Sequence, residues 1–514
     1  MPESFLWIGL ANVFVPVNLA AIVGGTMIGM VIGAMPGLSA TMAIALLLPL
    51  TFSMEPETGL SMLASLYLAA MYGGSIAAIL LRTPGTPAAA ATVLDGFPMA
   101  QRGEAGRALG LSLTASLIGG TISAIALLTI APILGRIVLN FGPIEIFAVA
   151  VLGITIIGSL SQGSTILGLF AGVLGLLIGT VGMDPTTGTP RFTFGILNLF
   201  SGVEFTVALI GLFSVPQAIR LMLKSEADRE GRVSSIRDRM LPTWPQFREL
   251  LPNSVRSSAI GVLTGLIPGT GGDTASWFAY NEAKRFSRNK EAFGTGHPAG
   301  IVAPEAANNA VVGGALVPTI ALGIPGSSAT AVLLGGVMVH GILPGPTLMT
   351  EYGDVTYTLL WAVLFANVAL FVVGLFFTRA CVAVTKIPNR VVGPVIIVLS
   401  VVGSFALNNS MFDVWLMLVF GMLGFVFDEV GIPTPPLVIG LILGPVLDTS
   451  LQQSLLIGQG NWLFFMQSPI AVVLLAIALL SILQSTPLFP AIGRKLRKPR
   501  EASDLGDDLP GSRE

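Results

Sequence analysis

The sequence predicts an all-α polytopic membrane protein made of two inverted structural repeats, with re-entrant helical hairpins, broken helices and about 10 to 13 membrane elements. Three observations predict this class. The composition is apolar and poor in charge, a set of Gly/Pro motifs occurs twice in the same order, and the two copies sit among opposite charges. The chain has 514 residues, of which 53% are hydrophobic and 11% charged, against about 25% charged in an ordinary soluble domain. Water is therefore not its main solvent. Apolar stretches recur at 60–81, 109–133, 144–160, 355–377, 391–407, 415–427 and 470–483. Several reach the roughly 20 residues that a spanning helix needs, and others are shorter and interrupted by glycine.

The chain holds 61 Gly and 34 Pro, which suits close helix packing in lipid and helices broken where protein or trapped water satisfies the backbone. Cys381 is the single cysteine, so an internal disulfide is excluded. The first ten residues, MPESFLWIGL, lack a basic n-region and are expected to be mature sequence rather than a signal peptide. A net charge of −2 without a basic aromatic surface gives no support for nucleic-acid binding. No Walker A motif, nucleophile elbow or zinc signature occurs, and His297 and His340 are isolated, so the chain is not expected to be an enzyme or to hold a metal cluster.

Basic residues divide the chain. None precedes Arg82, whereas 12 of the 26 lie between Arg220 and Lys290 and six more between Arg494 and Arg513. The positive-inside rule places these segments in the cytoplasm, together with the cluster Arg379, Lys386 and Arg390. The expected organisation is an N-terminal membrane repeat over 1–219, a cytoplasmic linker with an amphipathic helix over 220–256, a C-terminal membrane repeat over 257–490, and a disordered cytoplasmic tail over 491–514.

The repeats are read from two matched motifs. Gly29, Gly33, Pro36 and Gly37 recur as Gly261, Gly265, Pro268 and Gly269, at a constant offset of 232. Gly73-Gly74 followed by Thr83-Pro84-Gly85-Thr86 recurs as Gly313-Gly314 followed by Ile324-Pro325-Gly326-Ser327, at an offset of 240 to 241. The first Pro-Gly motif is flanked by Glu3, Glu55 and Glu57, the second by Arg248, Arg256, Lys284, Arg285, Arg288 and Lys290. If basic flanks lie inside, the first hairpin opens outward and the second inward.

The first motif interrupts an apolar run too long for one span, at 17–50, and the second copy lies at 255–280. Pro removes a backbone donor and Gly accepts positive φ, so the helix stops and reverses. Such a tip tolerates hydrocarbon only when shielded by protein or facing a watery cavity. Free N–H groups at the start of the outgoing half-helix attract a carboxylate. The candidate anion-binding residues are Gly37, Leu38 and Ser39; Thr83, Pro84, Gly85 and Thr86; Gly269, Thr270 and Gly271; and Gly326, Ser327 and Ser328. Thr270 and Asp273 are expected to cap the second outgoing helix.

The candidate coupling-cation residues are Asp273 and the Glu305, Asn308, Asn309 group. Asp273 is either a cap or an ion ligand, and Glu305 either a cation ligand or a carboxylate at the interface. Arg82 either meets the incoming anion or reaches the interface. Asp95 is expected in a structural turn at a membrane face.

The segments GAMPGLSATMAIALLLPLTF from Gly33 and YGGSIAAILLRTPGTPAAAATVLDGFPMAQRG from Tyr72 closely resemble the N-terminal half of the large membrane subunit of the tripartite tricarboxylate transporters, the TctA family. The stretch from Gly265 through APEAANN and LGIPGS to GILPGP resembles its C-terminal half. The family's motif residues fall here on Gly37, Ser39, Pro84, Gly85, Gly269, Gly271, Asp273, Asn308, Asn309, Pro325 and Gly326. The resemblance implies a bacterial inner-membrane permease with two partners, a small four-helix membrane subunit and a periplasmic solute-binding protein. It implies uptake of citrate-like di- and tricarboxylates by a Na⁺ or H⁺ gradient, without an organic cofactor. The expected function is import by alternating access. The alternative is a gated anion channel, or a carboxylate exporter without a binding protein. A homodimer in the lipid bilayer is left open.

Overall fold

The computed structural model describes residues 2–160, 164–223, 238–345, 347–384 and 387–485. The expected tail at 491–514, Lys386 and the central part of the linker at 224–237 lie outside the described residues.

The first half contains α1 (Pro2–Val13), α2 (Pro16–Gly33), α3 (Ala40–Leu47), α4 (Pro56–Leu81), α5 (Ala90–Gln101), α6 (Ala105–Val138), α7 (Pro143–Leu160), α8 (Thr165–Gly179) and α9 (Phe205–Leu223). The second contains α10 (Trp244–Leu266), α11 (Gly271–Phe286), α12 (Ala299–Leu322), α13 (Ser328–Val339), α14 (Thr347–Thr350), α15 (Gly353–Val384), α16 (Asn389–Asn408), α17 (Met411–Val430), α18 (Thr434–Ile457) and α19 (Pro469–Ser485). One two-stranded antiparallel ribbon, β1 (Gly182–Met183) with β2 (Pro190–Arg191), interrupts the α8–α9 connection. Eight described helices are long and apolar enough to cross a membrane, and six shorter apolar helices accompany them. The chain is an all-α polytopic membrane protein.

The core is built on α4 and α12, both almost wholly buried. Glycine lets α2 lie directly on α4 and α10 on α12, as small residues do between helices in lipid. A Cβ at Gly29 would stand 2.4 Å from the Leu66 carbonyl oxygen, and one at Gly261 2.3 Å from that of Ala307. Gly33 approaches the Ala70 carbonyl, and Gly265 that of Val311. Gly73 meets Met30 and Gly33, and Gly314 meets Val262 and Gly265. Each of these three contacts in the first half reappears in the second, 232 positions later on the hairpin and 241 later on the buried helix. By packing, Gly314 therefore corresponds to Gly73, which fixes the sequence offset of 240 to 241 at 241. Beyond these pairs, α6 packs on α12 and α15 on α4, while α8 packs on α18 and α9 on α17.

Three basic segments, 102–107, 238–249 and the α11–α12 connection, meet one another and make up a basic face. Arg102, just after α5, donates to the carbonyls of Thr295 and Gly296 at 2.6 and 3.0 Å. Asp238 accepts from the backbone N–H groups of Gly106 and Arg107 at the start of α6, at 2.6 and 2.8 Å. This joins the segment before α10 to the α5–α6 turn. Within the described residues the end of the expected linker runs into a membrane helix. Residues from Trp244 onward form the first turns of α10, opened by a Thr243–Gln246 capping box, and the helix continues to the hairpin tip.

Asp95 does not lie in a turn. It is inside α5, fully buried, and accepts from the Tyr280 hydroxyl and the backbone N–H groups of Gly294, Gly296 and His297 at 2.7–2.9 Å. That carboxylate ties the α11–α12 connection to the first half.

Candidate functional site

Four helix breaks converge. After α2 the chain turns through Pro36-Gly37, with Gly37 at φ +88°, and α3 starts at Ser39, whose side chain accepts from the Met42 N–H at 3.2 Å. After α4, Arg82 takes a left-handed conformation (φ +57°) and the chain folds back. Gly85 donates to the Gly74 carbonyl at 3.1 Å, and Thr86-Pro87 leads through a short 3₁₀ turn into α5. After α10, Gly269 and Gly271 have φ of +83° and +67° before α11 begins. After α12, Gly323 ends the helix at φ +70°. Gly326 packs on Ala315, and Ser327 opens α13 in a capping box with Thr330. The breaks also touch one another, since Gly269 donates to the Gly326 carbonyl at 2.9 Å.

Between them lies a cavity of about 170 Å³. Ser39, Ala40 and Thr41 of α3, Thr86, Pro87 and Ala88 before α5, Gly271, Gly272 and Asp273 of α11, and Ser327, Ser328 and Ala329 of α13 line it, and Tyr67 and Met71 of α4 complete the wall. The starts of α3, α11 and α13 and the 3₁₀ turn ahead of α5 therefore border one volume. Each α-helix start carries a partial positive charge of about half an elementary unit, and a carboxylate at such an end gains up to roughly 2 kcal/mol when partly buried. Six side-chain hydroxyls share the lining. The Tyr67 and Ser327 hydroxyls meet at 3.2 Å, while Thr86 Oγ1 is buried and has no hydrogen-bond partner. An orphaned buried hydroxyl in a dry site costs stability until a ligand engages it. The only ionisable side chain other than Tyr67 is Asp273, which takes backbone N–H hydrogen bonds in the first turn of α11, its own and that of Thr274.

Two larger cavities, of about 520 and 580 Å³, share Ser39 and Pro87 with the first. They widen toward the C-terminal ends of α9 and α17, where Gln217, Arg220 and Glu429 (first) and Gln217, Arg220 and Asp428 (second) line them. Gln217 donates to the Gly37 carbonyl at the first hairpin tip.

The candidates named from sequence divide among these spaces. Ser39, Thr86, Gly271, Ser327, Ser328 and Asp273 line the small cavity. Gly37, Pro84 and Gly85 line the first large cavity, and Gly269 and Thr270 the second. Gly326 supports the site from behind. Leu38 is buried in an apolar cluster with Met42, Ala218 and Leu221, and Thr83 is exposed, its hydroxyl donating to the Leu81 carbonyl. The expected Thr270 cap does not form. Its hydroxyl turns back to the carbonyls of Thr264 and Ile267 at 2.5 and 2.9 Å.

Glu305 is fully buried inside α12, not at an interface. It accepts from Thr92 of α5 at 2.5 Å and Ser112 of α6 at 3.2 Å, and no ion pair among the described residues includes it. One turn on, Asn308 donates to the carbonyl of the cavity-lining Met71 at 3.4 Å, while its Oδ1 has no partner. Asn309 donates to Ser116 at 2.8 Å and to the Glu305 carbonyl at 3.2 Å. This polar cluster borders the cavity without lining it. Arg82 is exposed, its guanidinium 5.9 Å from the centre of the Phe97 ring.

Sequence reasoning missed Tyr67, Met71, Thr41, Gln217 and Arg220. Tyr67 was discoverable, because it stands 241 positions before Asn308, so the duplication carried along α4 leads to it. Nothing local distinguishes Gln217.

Residues 19–439 match the family described as "Tripartite tricarboxylate transporter TctA family". The chain is 36% identical over 495 residues to "Uncharacterized 52.8 kDa protein in TAR-I ttuC' 3'region" of Agrobacterium vitis, covering 96% of this chain and 98% of the relative. It is 33% identical over 235 residues to "Uncharacterized protein in TAR-II ttuC' 3'region" of the same organism, covering 46% of this chain and 96% of that relative. No solved structure matches. With a match that runs from within α2, the first arm of the first hairpin, to within α18, the chain belongs to the TctA family of tripartite tricarboxylate transporters.

Proposed function

We propose that this chain is the large permease subunit of a binding-protein-dependent secondary transporter that imports di- and tricarboxylate anions of the citrate type down a cation gradient. The observation that supports it is the convergence of four helix breaks and six hydroxyls, among them the orphaned Thr86 Oγ1, on one small cavity. Amide dipoles and hydroxyls suit carboxylates, and the volume lies below the roughly 300 Å³ at which pockets for drug-sized ligands begin, so the ligand is small.

Asp273 gives a reason for cation coupling. An anionic carboxylate about 4 Å from another costs roughly 4 kcal/mol at the effective dielectric of a protein. A Na⁺ or H⁺ taken up with Asp273, and with the Glu305, Asn308, Asn309 cluster behind it, removes that repulsion and lets the substrate bind. The paired packing of α2 on α4 and α10 on α12 supports two copies of one unit, the opposite flanking charges favour their inversion, and alternating access would shift them about the cavity. With the basic face in the cytoplasm of a bacterial inner membrane, the two large cavities open inward, so this arrangement is the releasing state. The partners would be a small four-helix membrane subunit and a periplasmic solute-binding protein.

Reconstituted liposomes test the reading. Labelled citrate should accumulate uphill under a Na⁺ or proton gradient, and an ionophore should abolish the accumulation. Flux that only ever runs downhill would overturn it in favour of a channel.

A further inference from the structure

The small cavity grips with neutral groups, and the path that leads from it holds one cation. Arg220, in the last turn of α9, is the only Lys or Arg among the residues lining the three cavities, and it lines both of the larger ones. Its guanidinium lies 3.3 Å from Asp428 Oδ2 and 3.9 Å from Glu429 Oε1, in the last turn of α17. All three side chains are partly exposed, at 40%, 33% and 60%. An ion pair this solvated is worth about 0 to 1 kcal/mol, so another carboxylate displaces it at little cost. A guanidinium also matches a carboxylate in a planar two-point contact that a lysine cannot reproduce. One turn earlier on the same helix, Gln217 holds the Gly37 carbonyl at the first hairpin tip.

We propose that Arg220 is a second anion subsite, on the basic side of the gripping cavity, where the carboxylate of a departing di- or tricarboxylate takes the place of Asp428 and Glu429. The inference rests on the transport reading above and adds a release step to it. The acidic pair keeps Arg220 neutralised while the path is empty and returns to it once the anion leaves, which prevents the cation from trapping its cargo. Removing the arginine should therefore weaken binding from the basic face, and removing the competing acid should strengthen it.

The test uses the full chain with its membrane partner in inside-out and right-side-out vesicles, with citrate, succinate, tricarballylate and benzoate as probes. Arg220→Gln should raise the KM for citrate offered at the basic face by about tenfold or more, the range expected for losing a charge-assisted hydrogen bond. It should leave the KM from the opposite face within about twofold. Asp428→Asn should lower the basic-face KM and slow release, and Arg220→Lys should fall between Arg220→Gln and the wild type. Benzoate, with one carboxylate to place, should respond less than citrate. If Arg220→Gln and Asp428→Asn shift both faces in the same direction, the pair is only a staple between α9 and α17, and the subsite is overturned. Equal KM values for all variants overturn it too. Wild-type vesicles that carry none of the four probes from either face overturn the transport reading and the subsite with it.

Discussion

At the two hairpin tips the turning glycine is matched, Gly37 at φ +88° and Gly269 at φ +83°, and the chemistry is not. Thr41 and Asp273 stand 232 positions apart, the spacing of Gly37 and Gly269, and both line the small cavity. On the buried helices, 241 positions separate Tyr67 from Asn308 and Ala64 from Glu305. The first half thus offers the cavity hydroxyls and small apolar groups, while the second offers an acid at the tip and an acid and two amides behind it. Glycine contacts, breaks and helix starts are held in common because geometry requires them. The side chains differ: the acids and amides in and beside the cavity come from the second half, while both halves line it with hydroxyls.

The largest effect that would sharpen this comparison comes from Asp273. Asp273→Thr, which gives the second tip the residue of the first, should reduce citrate uptake about a hundredfold, with membrane insertion unchanged. Combining it with Thr41→Asp moves the acid to the equivalent site across the cavity. Initial rates in proteoliposomes should then recover partly if the two tips are interchangeable in geometry. Recovery of nothing, in a protein that still folds, would break the equivalence.

Next comes Thr86→Val. Removing the hydroxyl of this cavity-lining residue, which has no hydrogen-bond partner, should raise the KM for citrate about tenfold. The empty protein should lose no thermal stability and should even gain some, because the unpartnered oxygen is gone. Tyr67→Phe should act more weakly, by about threefold in KM, since Ser327 keeps its own place in the α13 capping box.

The smallest effect tests the two broken helices. Arg82 and Gly323 end α4 and α12 in the same left-handed conformation, yet only glycine adopts it without cost. Arg82→Gly should stabilise the protein by about 1 kcal/mol, read as a higher midpoint in a thermal unfolding assay, with transport unchanged. Gly323→Ala should destabilise it by a similar amount.

Much of this architecture was legible in the sequence because Pro and Gly act locally. Pro36-Gly37 and Pro268-Gly269 announce the tips without any knowledge of what surrounds them, and the matched offsets pair them. What was not legible depends on direction and on partners distant in sequence. The Thr270 hydroxyl could have capped α11, but the turn aims it at Thr264, and no local pattern distinguishes the two outcomes. The amphipathic segment near 244 gave no sign that it continues unbroken into α10, because Pro252 reads as a helix end. Asp95 looked like a turn residue until three backbone N–H groups from 294–297 closed around it. Glu305 could face water or bury itself, and only the arrival of Thr92 and Ser112 from other helices decides. In an almost uniformly buried helix such as α4, polarity carries no facing information, so nothing local singles out Met71, and only the duplication leads to Tyr67.

The central claim is that four helix breaks enclose one anion. The chain has a single, buried cysteine, Cys381, so a Cys381→Ala background allows new thiols to report alone. Ser39→Cys, Thr86→Cys, Gly271→Cys and Ser328→Cys, one from each break, would be labelled in membranes with a small charged thiol reagent, with and without citrate. Citrate should slow labelling at all four positions at the same half-saturating concentration. Protection at one break only, or at none while the protein still transports citrate, would contradict a shared site.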